Sequence, residues 1–408
     1  MKGGNFFKSI FLWLIFLVLG IVFFTGGVAF CAKWDGTIYF GYTGPLSGGA
    51  AKYGNNCLTG MKVAVDDVNA AGGINIGGKK YELKLVYYDD MYKPANTVAN
   101  ARRMVMAEKP ILIACPHAGG ILALEKINEK EGFLISGYTT NVAIISQGNK
   151  LVFSVPPRAD LAYGVEMLKK AFSFGPKLAH LTGSHEAGVA WKELSEANWK
   201  KMGGQVVASD SVNYSAVTDF FPYLTKIIQA KPDVINLYGP SEPSAMIVNQ
   251  ARQLGYKGGF LMGDQCKLDE MAKVASMANL NNSVGVCPFE LRPLPIAKAF
   301  GKRLHQMFGK DYVPTFEAAA HYEVVWIVVK AMEKAQIKDD PYAIFKKFND
   351  VLPVGQYANT LRDGLGPNGE LLGVTFAIMV KDNQFSKPIP LIWGQDLYPP
   401  GKKSAWKD

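Results

Sequence analysis

The sequence predicts an α/β protein in which parallel sheets are flanked by helices. Short apolar runs of strand length, the first at residues 38–42, alternate with segments whose apolar residues recur at the helical period. Short links between successive strands and helices favour right-handed βαβ units, and therefore parallel strands. The alternation is interrupted at residues 153–158 and then resumes, and 408 residues are enough for two domains with complete cores.

The first unit consists of a strand, a Gly-rich loop predicted at residues 43–55, and a helix that Asn55 or Asn56 caps and Gly72-Gly73 ends. The loop follows the carboxyl end of a strand, where open α/β sheets bind ligands, and its bare backbone amides suit a small anion. A flexible surface loop is the alternative interpretation. The loop contains no G-x-G-x-x-G motif, which argues against a dinucleotide site.

The remaining strands and helices are predicted from the same two periodicities. Strands are predicted at residues 81–88, 111–115, 133–137, 178–182, 206–212, 234–238, 260–262, 284–287 and 373–380. Helices are predicted at residues 94–105, 121–131, 161–174, 190–202, 224–230, 245–254, 271–278, 296–308, 316–335 and 342–348. Because the last helices outnumber the strands near them, we expect them to return and cover the first sheet.

The N-terminal segment predicts a secretory signal peptide at residues 1–32. Lys2 and Lys8 precede an uninterrupted apolar run, and small residues follow it. A retained membrane helix is the alternative, but the run is shorter than the roughly 20 apolar residues that a span prefers. Phe30 stands directly before Cys31, where a lipoprotein would need a small residue.

Composition and motifs exclude several classes of function. The formal net charge is +9, but the basic residues are not clustered or interleaved with aromatic residues as in a nucleic-acid-binding face. The sequence has no C-x-x-C pair, and Val189 stands where a zinc motif beginning at His185 would need its second histidine. It also lacks a G-x-S-x-G nucleophile elbow and any cofactor fingerprint. We therefore predict no nucleic acid, no metal, no cofactor and no enzymatic activity.

Two long motifs carry a resemblance to a known family. The run GYTGPLSGGAAKYG (41–54), followed by a helix ending in VNAAGGI, and the run QARQLGYKGGFLMGD (250–264) resemble the leucine/isoleucine/valine-binding family. These are type I periplasmic substrate-binding proteins of ABC transporters. The resemblance covers nearly the whole mature chain. It implies two Rossmann-like lobes joined by three hinge crossovers, near Pro156, Pro288 and Gly366, with the ligand between them.

The resemblance also implies which residues form each lobe. The N-terminal lobe would comprise residues 33–156 and 288–365, and the C-terminal lobe residues 157–287 and 366–398. Four cysteines remain after removal of the signal peptide, and export permits disulfides. Pairs within a lobe are expected, because a bond between lobes would obstruct closure; the predicted pairs are Cys57–Cys115 and Cys266–Cys287.

In the N-terminal lobe, the resemblance assigns roles to residues in three loops. Tyr53 matches the aromatic residue that covers the ligand's side chain, with an ordinary packed tyrosine as the alternative. Thr140 matches the threonine whose hydroxyl and amide hold the polar end of an amino acid. Tyr138 replaces a smaller residue and would reshape the pocket. Where relatives present a serine to the ligand carboxylate, only backbone amides remain, at Ala118, Gly119 and Gly120.

In the C-terminal lobe, Asp264 matches the acidic residue that pairs with the ligand's α-ammonium. An N-cap for the following helix is the alternative role. Relatives use tyrosines where this chain has Ala187 and Pro240. The neighbouring polar residues that could replace them, or could be solvated loop residues, are His185, Ser241 and Glu242.

The sequence therefore predicts a secreted, monomeric, non-enzymatic receptor that delivers a small-molecule ligand to an inner-membrane ABC permease by hinge closure. An amino acid of branched-chain type, or an analogue, is the first choice of ligand. The missing tyrosines and the two rings of Tyr53 and Tyr138 make an aromatic carboxylate or a small amide the alternative. A ligand-sensing module that acts through a membrane partner is the third possibility.

Overall fold

A computed structural model describes residues 34–159, 166–214, 216–354, 362–393 and 397–402. The predicted signal peptide lies outside these residues. None of the helices in the described ranges combines the length and the apolar character needed to cross a lipid bilayer.

The first sheet has six strands in the order β2-β3-β1-β4-β5-β6. All neighbours are parallel except the β2–β3 hairpin, which turns at Gly77 and Gly78 with positive φ angles of 60° and 75°. Two left-handed residues are what a tight hairpin turn requires. The bounds are β1 Gly36–Gly44, β2 Ile74–Ile76, β3 Lys79–Asp89, β4 Leu112–Cys115, β5 Leu134–Gly137 and β6 Val152–Ser154.

The second sheet has nine strands, with a parallel part in the order β11-β10-β9-β7-β8 and an antiparallel edge built on β13. Strands β12, β14 and β15 all pair with β13. The bounds are β7 Lys177–Gly183, β8 Gln205–Val212, β9 Val234–Tyr238, β10 Gly259–Met262, β11 Ser283–Val286, β12 Arg362–Leu365, β13 Leu371–Lys381, β14 Gln384–Phe385 and β15 Ile389–Trp393.

The helices fall into two groups according to the sheet on which they pack. The first group, with the first sheet, forms what we call the first lobe: α1 Ala51–Ala70, α2 Pro94–Ala107, α3 Ala118–Leu124, α4 Asn128–Glu131, α5 Ala143–Ser146, α11 Pro295–Phe308, α12 Phe316–Ala335, α13 Pro341–Phe345 and α14 Phe348–Val351. The second group, with the second sheet, forms the second lobe: α6 Glu166–Phe172, α7 Glu186–Lys201, α8 Phe221–Gln229, α9 Ser241–Gln253 and α10 Leu268–Met271.

Helix α12 returns to the first lobe and packs against α1. The two backbones approach closely at Gly60, where a Cβ atom would lie 2.0 Å from the main-chain oxygen of Ala318. The Tyr322 hydroxyl donates to the Asp67 carboxylate at 2.6 Å, and the Arg303 guanidinium on α11 pairs with the same carboxylate. The first lobe is thus built from both halves of the chain, as the excess of late helices predicted.

The α/β fold class with two parallel-rich sheets is confirmed. The strands that the sequence did not predict are β2, β6, β12, β14 and β15, which have five residues or fewer. The chain passes between the lobes after β6, after β11 and between α14 and β12. The last passage precedes Arg362, a few residues before the crossover expected near Gly366, and the lobe boundaries stay a prediction.

Candidate ligand-binding cleft

The carboxyl ends of the parallel strands in the two lobes face each other, and side chains from both sides meet between them. Asn56 Nδ2 in α1 donates to Glu270 Oε1 in α10 at 2.8 Å. Thr140 Oγ1, after β5, lies 3.0 Å from the hydroxyl of Tyr238 at the end of β9. We call this interlobe region the cleft; because hydrogen bonds join its two walls directly, the structure is a closed form.

Aromatic rings form the wall of the cleft on the first lobe. The Tyr53 hydroxyl donates to the main-chain oxygen of Pro116 at 2.7 Å, and its ring centroid lies 6.3 Å from that of Tyr138. The Tyr138 ring lies 5.0 Å from His321 and 6.2 Å from Phe316, both on α12. Burial raises the pKa of Tyr53 well above its usual range, so this wall presents neutral rings.

The loop predicted at residues 43–55 is shorter than expected. A 3-10 turn at Gly48–Ala50 leads directly into α1 at Ala51, so Tyr53 belongs to the first turn of a helix. Neither Asn55 nor Asn56 caps that helix, and the N-cap residue is Ala50. Asn56 instead makes the hydrogen bond across the cleft.

A second group of first-lobe residues holds Tyr92 against the opposite lobe. Met91 and Tyr92 both have positive φ angles, 52° and 62°, which is uncommon for residues with a side chain. The Tyr92 ring stacks on His117 at 4.6 Å and meets the edge of His185 at 5.4 Å, while its hydroxyl accepts from Gln265 Nε2 at 3.1 Å. The last two partners belong to the second lobe, so Tyr92 contacts both walls.

His117 organises the loop after β4. Its Nδ1 accepts from the Gly120 amide at 3.0 Å, so the ring proton is on Nε2, which donates to Asp90 Oδ2 at 2.9 Å. Cys115 lies close by, and the three side chains have the proximity of a metal cluster. Because the ring nitrogens are both engaged in hydrogen bonds, the cluster is satisfied without a cation.

The predicted anion site at Ala118, Gly119 and Gly120 is less open than expected. These residues form the buried first turn of α3, and the Gly120 amide is already engaged by His117. A Cβ atom at Gly119 would lie 2.6 Å from a carboxylate oxygen of Glu186, a residue of the second lobe. One of the three amides is therefore already used, and a carboxylate faces the site. Both features disfavour the predicted binding of an anion by backbone amides alone.

Asp264 follows β10 and is buried in the cleft, as predicted. It does not cap the following helix, because the N-cap residue of α10 is Lys267. Lys267 Nζ lies 3.2 Å from Asp264 Oδ1 and 2.9 Å from Glu317 Oε1 in α12, across the cleft. Asp264, which was expected to pair with a ligand's ammonium, thus already has an ammonium group of the protein as a partner.

The three polar candidates of the second lobe have different environments. Ser241 Oγ donates to Glu270 Oε2 at 2.7 Å and so supports the interlobe bond from Asn56. His185 caps α7 by accepting from the Gly188 amide at 3.2 Å, and its ring lies 5.8 Å from Tyr238. Glu242 is exposed in the first turn of α9, and its contact with a ligand stays a prediction.

The segments that follow β7 and β9 become helical almost at once, because α7 begins at Glu186 and α9 at Ser241. A cavity of about 340 Å³ opens between the lobes beside them. Both lobes contribute to its lining, which consists of Met91, Tyr92, Lys93, Ser184, His185, Asn213, Tyr214, Ala216 and Pro240.

The predicted disulfides are not present. All four described cysteines are free and buried. Cys266 Sγ lies 3.3 Å from Ser244 Oγ and 3.3 Å from the main-chain oxygen of Gly239, and Cys287 Sγ lies 3.4 Å from the main-chain oxygen of Pro288. Cys115 Sγ is directed at the main-chain oxygen of His117 at 3.7 Å. All four thiols are small core groups, and those of Cys115, Cys266 and Cys287 each have a local oxygen as partner.

Residues 37–363 match the family model of the periplasmic binding proteins. The chain belongs to this family. This match confirms the resemblance seen in the sequence. Members of the family are substrate-binding proteins and not enzymes, and the family implies a periplasmic location.

Three relatives illustrate the similarity. An "Amino acid binding protein" of Pseudomonas aeruginosa is 28% identical over 58% of this chain, and the match spans 63% of that protein, a little less than two thirds. The "Leu/Ile/Val-binding protein homolog 1" of Brucella abortus is 24% identical over 76% of this chain and 81% of its own length. The isoleucine complex of the branched-chain amino acid transporter substrate-binding protein LivJ from Streptococcus pneumoniae superposes with a TM-score of 0.75 and 20% identity. It covers 87% of this chain and 99% of that one.

Several cleft residues were not found by sequence reasoning. Tyr238 ends a predicted strand, and Lys267 follows Asp264 at the i+3 position. Their positions in the sequence could therefore have indicated that they lie at the cleft. Glu270 and Glu317 lie within helices, where an acidic residue is normally solvent-exposed. Only the return of α12 to the cleft shows that Glu317 is buried there.

Proposed function

We propose that this member of the family is an extracytoplasmic solute receptor whose lobes close over a small organic molecule and deliver it to an ABC permease. The observation that carries the proposal is the direct meeting of polar and aromatic side chains from both lobes at the carboxyl ends of both sheets. Open α/β sheets bind ligands at this edge, and a two-lobed protein traps a ligand there by hinge motion.

The ligand class that the relatives suggest is an amino acid or a close analogue. The Pseudomonas aeruginosa relative carries that description, and the Streptococcus pneumoniae structure contains isoleucine. Thr140 and the rings of Tyr53 and Tyr138 support the same class, because they offer a polar group next to an apolar surface.

One observation favours the second candidate, a ligand without an ammonium group such as an aromatic carboxylate or a small amide. Asp264, which would pair with an α-ammonium, already has Lys267 as its partner. The aromatic wall formed by Tyr53 and Tyr138, which is buried in this closed form, would then bind the body of the ligand.

We place the mature protein in the periplasm after removal of residues 1–32, as a monomer that presents its closed form to the permease. The lobe boundaries proposed from the sequence, with the third crossover moved to the passage before β12, define the rigid bodies that close.

A thermal-shift screen of the purified mature protein over amino acids, aromatic acids and amides tests the proposal. A ligand at 100 times its dissociation constant adds about 2.7 kcal/mol of stability, which a melting curve resolves easily. Small-angle scattering with the best compound should show a decrease in the radius of gyration. Absence of any stabilising compound across all three classes would contradict the receptor function.

A further inference from the structure

Arg292 is a fully buried cation with unused hydrogen-bonding capacity. Its guanidinium carbon lies 4.3 Å from the centroid of the Phe316 ring, and its Nη2 is 3.4 Å from the main-chain oxygen of Cys287. Its Nε and Nη1 have no hydrogen-bond partner, and it forms no ion pair with any residue in the described ranges. Because an unpaired buried charge is costly, such a side chain calls for an anion.

A second buried guanidinium faces the same ring. The guanidinium carbon of Arg362 lies 5.2 Å from the Phe316 centroid, and its Nε donates to the main-chain oxygen of Val155 at 2.8 Å. Arg292 and Arg362 stand on two of the three passages between the lobes. Because two like charges beside one ring repel each other, a negative group paired with Arg292 would also be favoured by the charge of Arg362.

Phe316 connects this cationic pair to the cleft. Its ring lies 6.2 Å from that of Tyr138, a residue of the aromatic wall. The next residue along the chain, Glu317, is the one whose carboxylate pairs with Lys267. The cationic pair and the Lys267 ion pair therefore contact consecutive residues of the first turn of α12, next to the aromatic wall.

The contacts of Lys267 bear on whether a ligand in the cleft can carry an ammonium group. Its ammonium donates to the main-chain oxygen and to Oδ1 of Asp264, and it pairs with Glu317 Oε1. The charge of this ammonium is thus shared by two buried carboxylates. A ligand ammonium would have to compete with this buried cation for Asp264.

From these two observations, we infer that the ligand is an organic carboxylate with an apolar or aromatic body and no ammonium group. Its carboxylate would pair with the guanidinium of Arg292, beside Arg362, and its body would lie against Tyr138 and Phe316. The inference rests on the proposed receptor function and names the substrate class of the same cleft.

The test uses titration calorimetry of the mature protein with two matched sets of three compounds. The first set is 3-phenylpropanoate, 3-phenylpropanamide and phenylalanine; the second is 4-methylpentanoate, 4-methylpentanamide and leucine. In the set that fits the cleft, we expect the carboxylate to bind at least about 30-fold more tightly than the amide, because a buried charged pair is lost. The amino acid should bind at least tenfold more weakly than the carboxylate.

Arg292→Gln should weaken binding of the carboxylate by about 30-fold or more and leave binding of the amide almost unchanged. The matched control is Arg103→Gln, since Arg103 also lies 4.3 Å over a ring, that of Tyr88, but is exposed on the first lobe. If Arg292→Gln does not fold, the comparison among the six compounds on the unchanged protein still decides the matter.

An amide or amino acid that binds as tightly as its carboxylate would overturn the inference and leave the receptor function standing. Wild-type carboxylate affinity in the folded Arg292→Gln variant would do the same. Failure of all six compounds to bind contradicts the inference. The receptor function is contradicted only if the wider thermal-shift screen also finds no stabilising compound.

Discussion

Lys267 Nζ and Glu317 Oε1 lie 2.9 Å apart, and this buried ion pair joins the two lobes. Lys267 precedes α10 in the second lobe, whereas Glu317 is in the first turn of α12 in the first lobe. Burial raises the pKa of Glu317, and the Lys267 ammonium opposes that rise. Lys267 therefore compensates negative charge that would otherwise oppose closure of the cleft.

Lys267→Met should lower the free energy of unfolding by about 3–5 kcal/mol, because it leaves two buried carboxylates without their cation. Urea denaturation at pH 7 measures the loss. The control is Lys52→Met, since the Lys52 side chain is half exposed and 3.7 Å from Glu270. That exposed pair should contribute less than about 1 kcal/mol. Equal stability of the two variants would show that the buried pair is not formed in solution.

Tyr238→Phe should open the cleft without disturbing the second lobe, since it removes the hydroxyl that meets Thr140. Tyr256→Phe is the matched control, because the buried Tyr256 hydroxyl donates to Gly259 within the same lobe. Each change should cost about 0.5–1.5 kcal/mol of stability. Only Tyr238→Phe should increase the radius of gyration that small-angle scattering gives in the presence of the best stabilising compound. An equal radius for both variants would contradict the assigned role.

Two buried neutral histidines predict a loss of stability in mild acid. Burial lowers the pKa of His180 and of His321 to about 4, whereas an unfolded histidine titrates near 6.5. Between these values the unfolded chain binds protons that the folded protein does not. Each of these histidines therefore contributes a decrease in the free energy of unfolding as the pH falls, of about 1.4 kcal/mol per pH unit.

Urea denaturation at several pH values between 4 and 6.5 measures this slope. His321→Asn keeps a donor for the main-chain oxygen of Glu317, which His321 Nδ1 contacts at 2.8 Å. This variant and His180→Asn should each reduce the slope by a similar amount, and the double variant should show the sum. A slope that neither substitution changes would contradict neutral buried histidines.

Because the four described thiols are free, we expect the stability of the protein to be insensitive to reductants. Burial raises the pKa of Cys266 to about 11 and of Cys287 to about 12, which leaves little reactive thiolate. Ellman's reagent should react with none of the four described thiols in the native protein and with all of them after denaturation. Dithiothreitol should leave the melting temperature unchanged. A lower melting temperature after reduction would restore the disulfide prediction.

The fold could be predicted because long helices and buried parallel strands have strong periodic signals; helix 316–335 was predicted to the residue. The start of α1 was wrong for a physical reason. Gly54 suggested a loop, but a Cβ atom there would lie 1.8 Å from the main-chain oxygen of Pro45, so glycine allows the preceding loop to pack on the helix. A close approach of two backbones cannot be seen in a local pattern.

Much of the predicted site consists of residues that follow a strand, namely Tyr138, Thr140 and Asp264. These residues, and Tyr53 in the first turn of α1, are buried at the cleft, and their proposed contacts with a ligand stay predictions. The partner of Asp264 could not be predicted, because ion pairs across the cleft depend on which helices return to it. For the same reason the disulfide prediction failed: spacing gives no information on which atom each thiol faces.

The contact between helices α1 and α12 also sets the order in which the protein can fold as the chain emerges from its N-terminus. The hydrogen bond from Tyr322 to Asp67 spans 255 residues of sequence, so the first lobe cannot be completed until α12 has emerged. The parallel part of the second sheet, by contrast, is continuous from β7 to β11 and is available earlier. Because distant contacts form slowly, the lobe that begins the chain is the last to be finished. Until then its apolar helix face is open to chaperones and to aggregation.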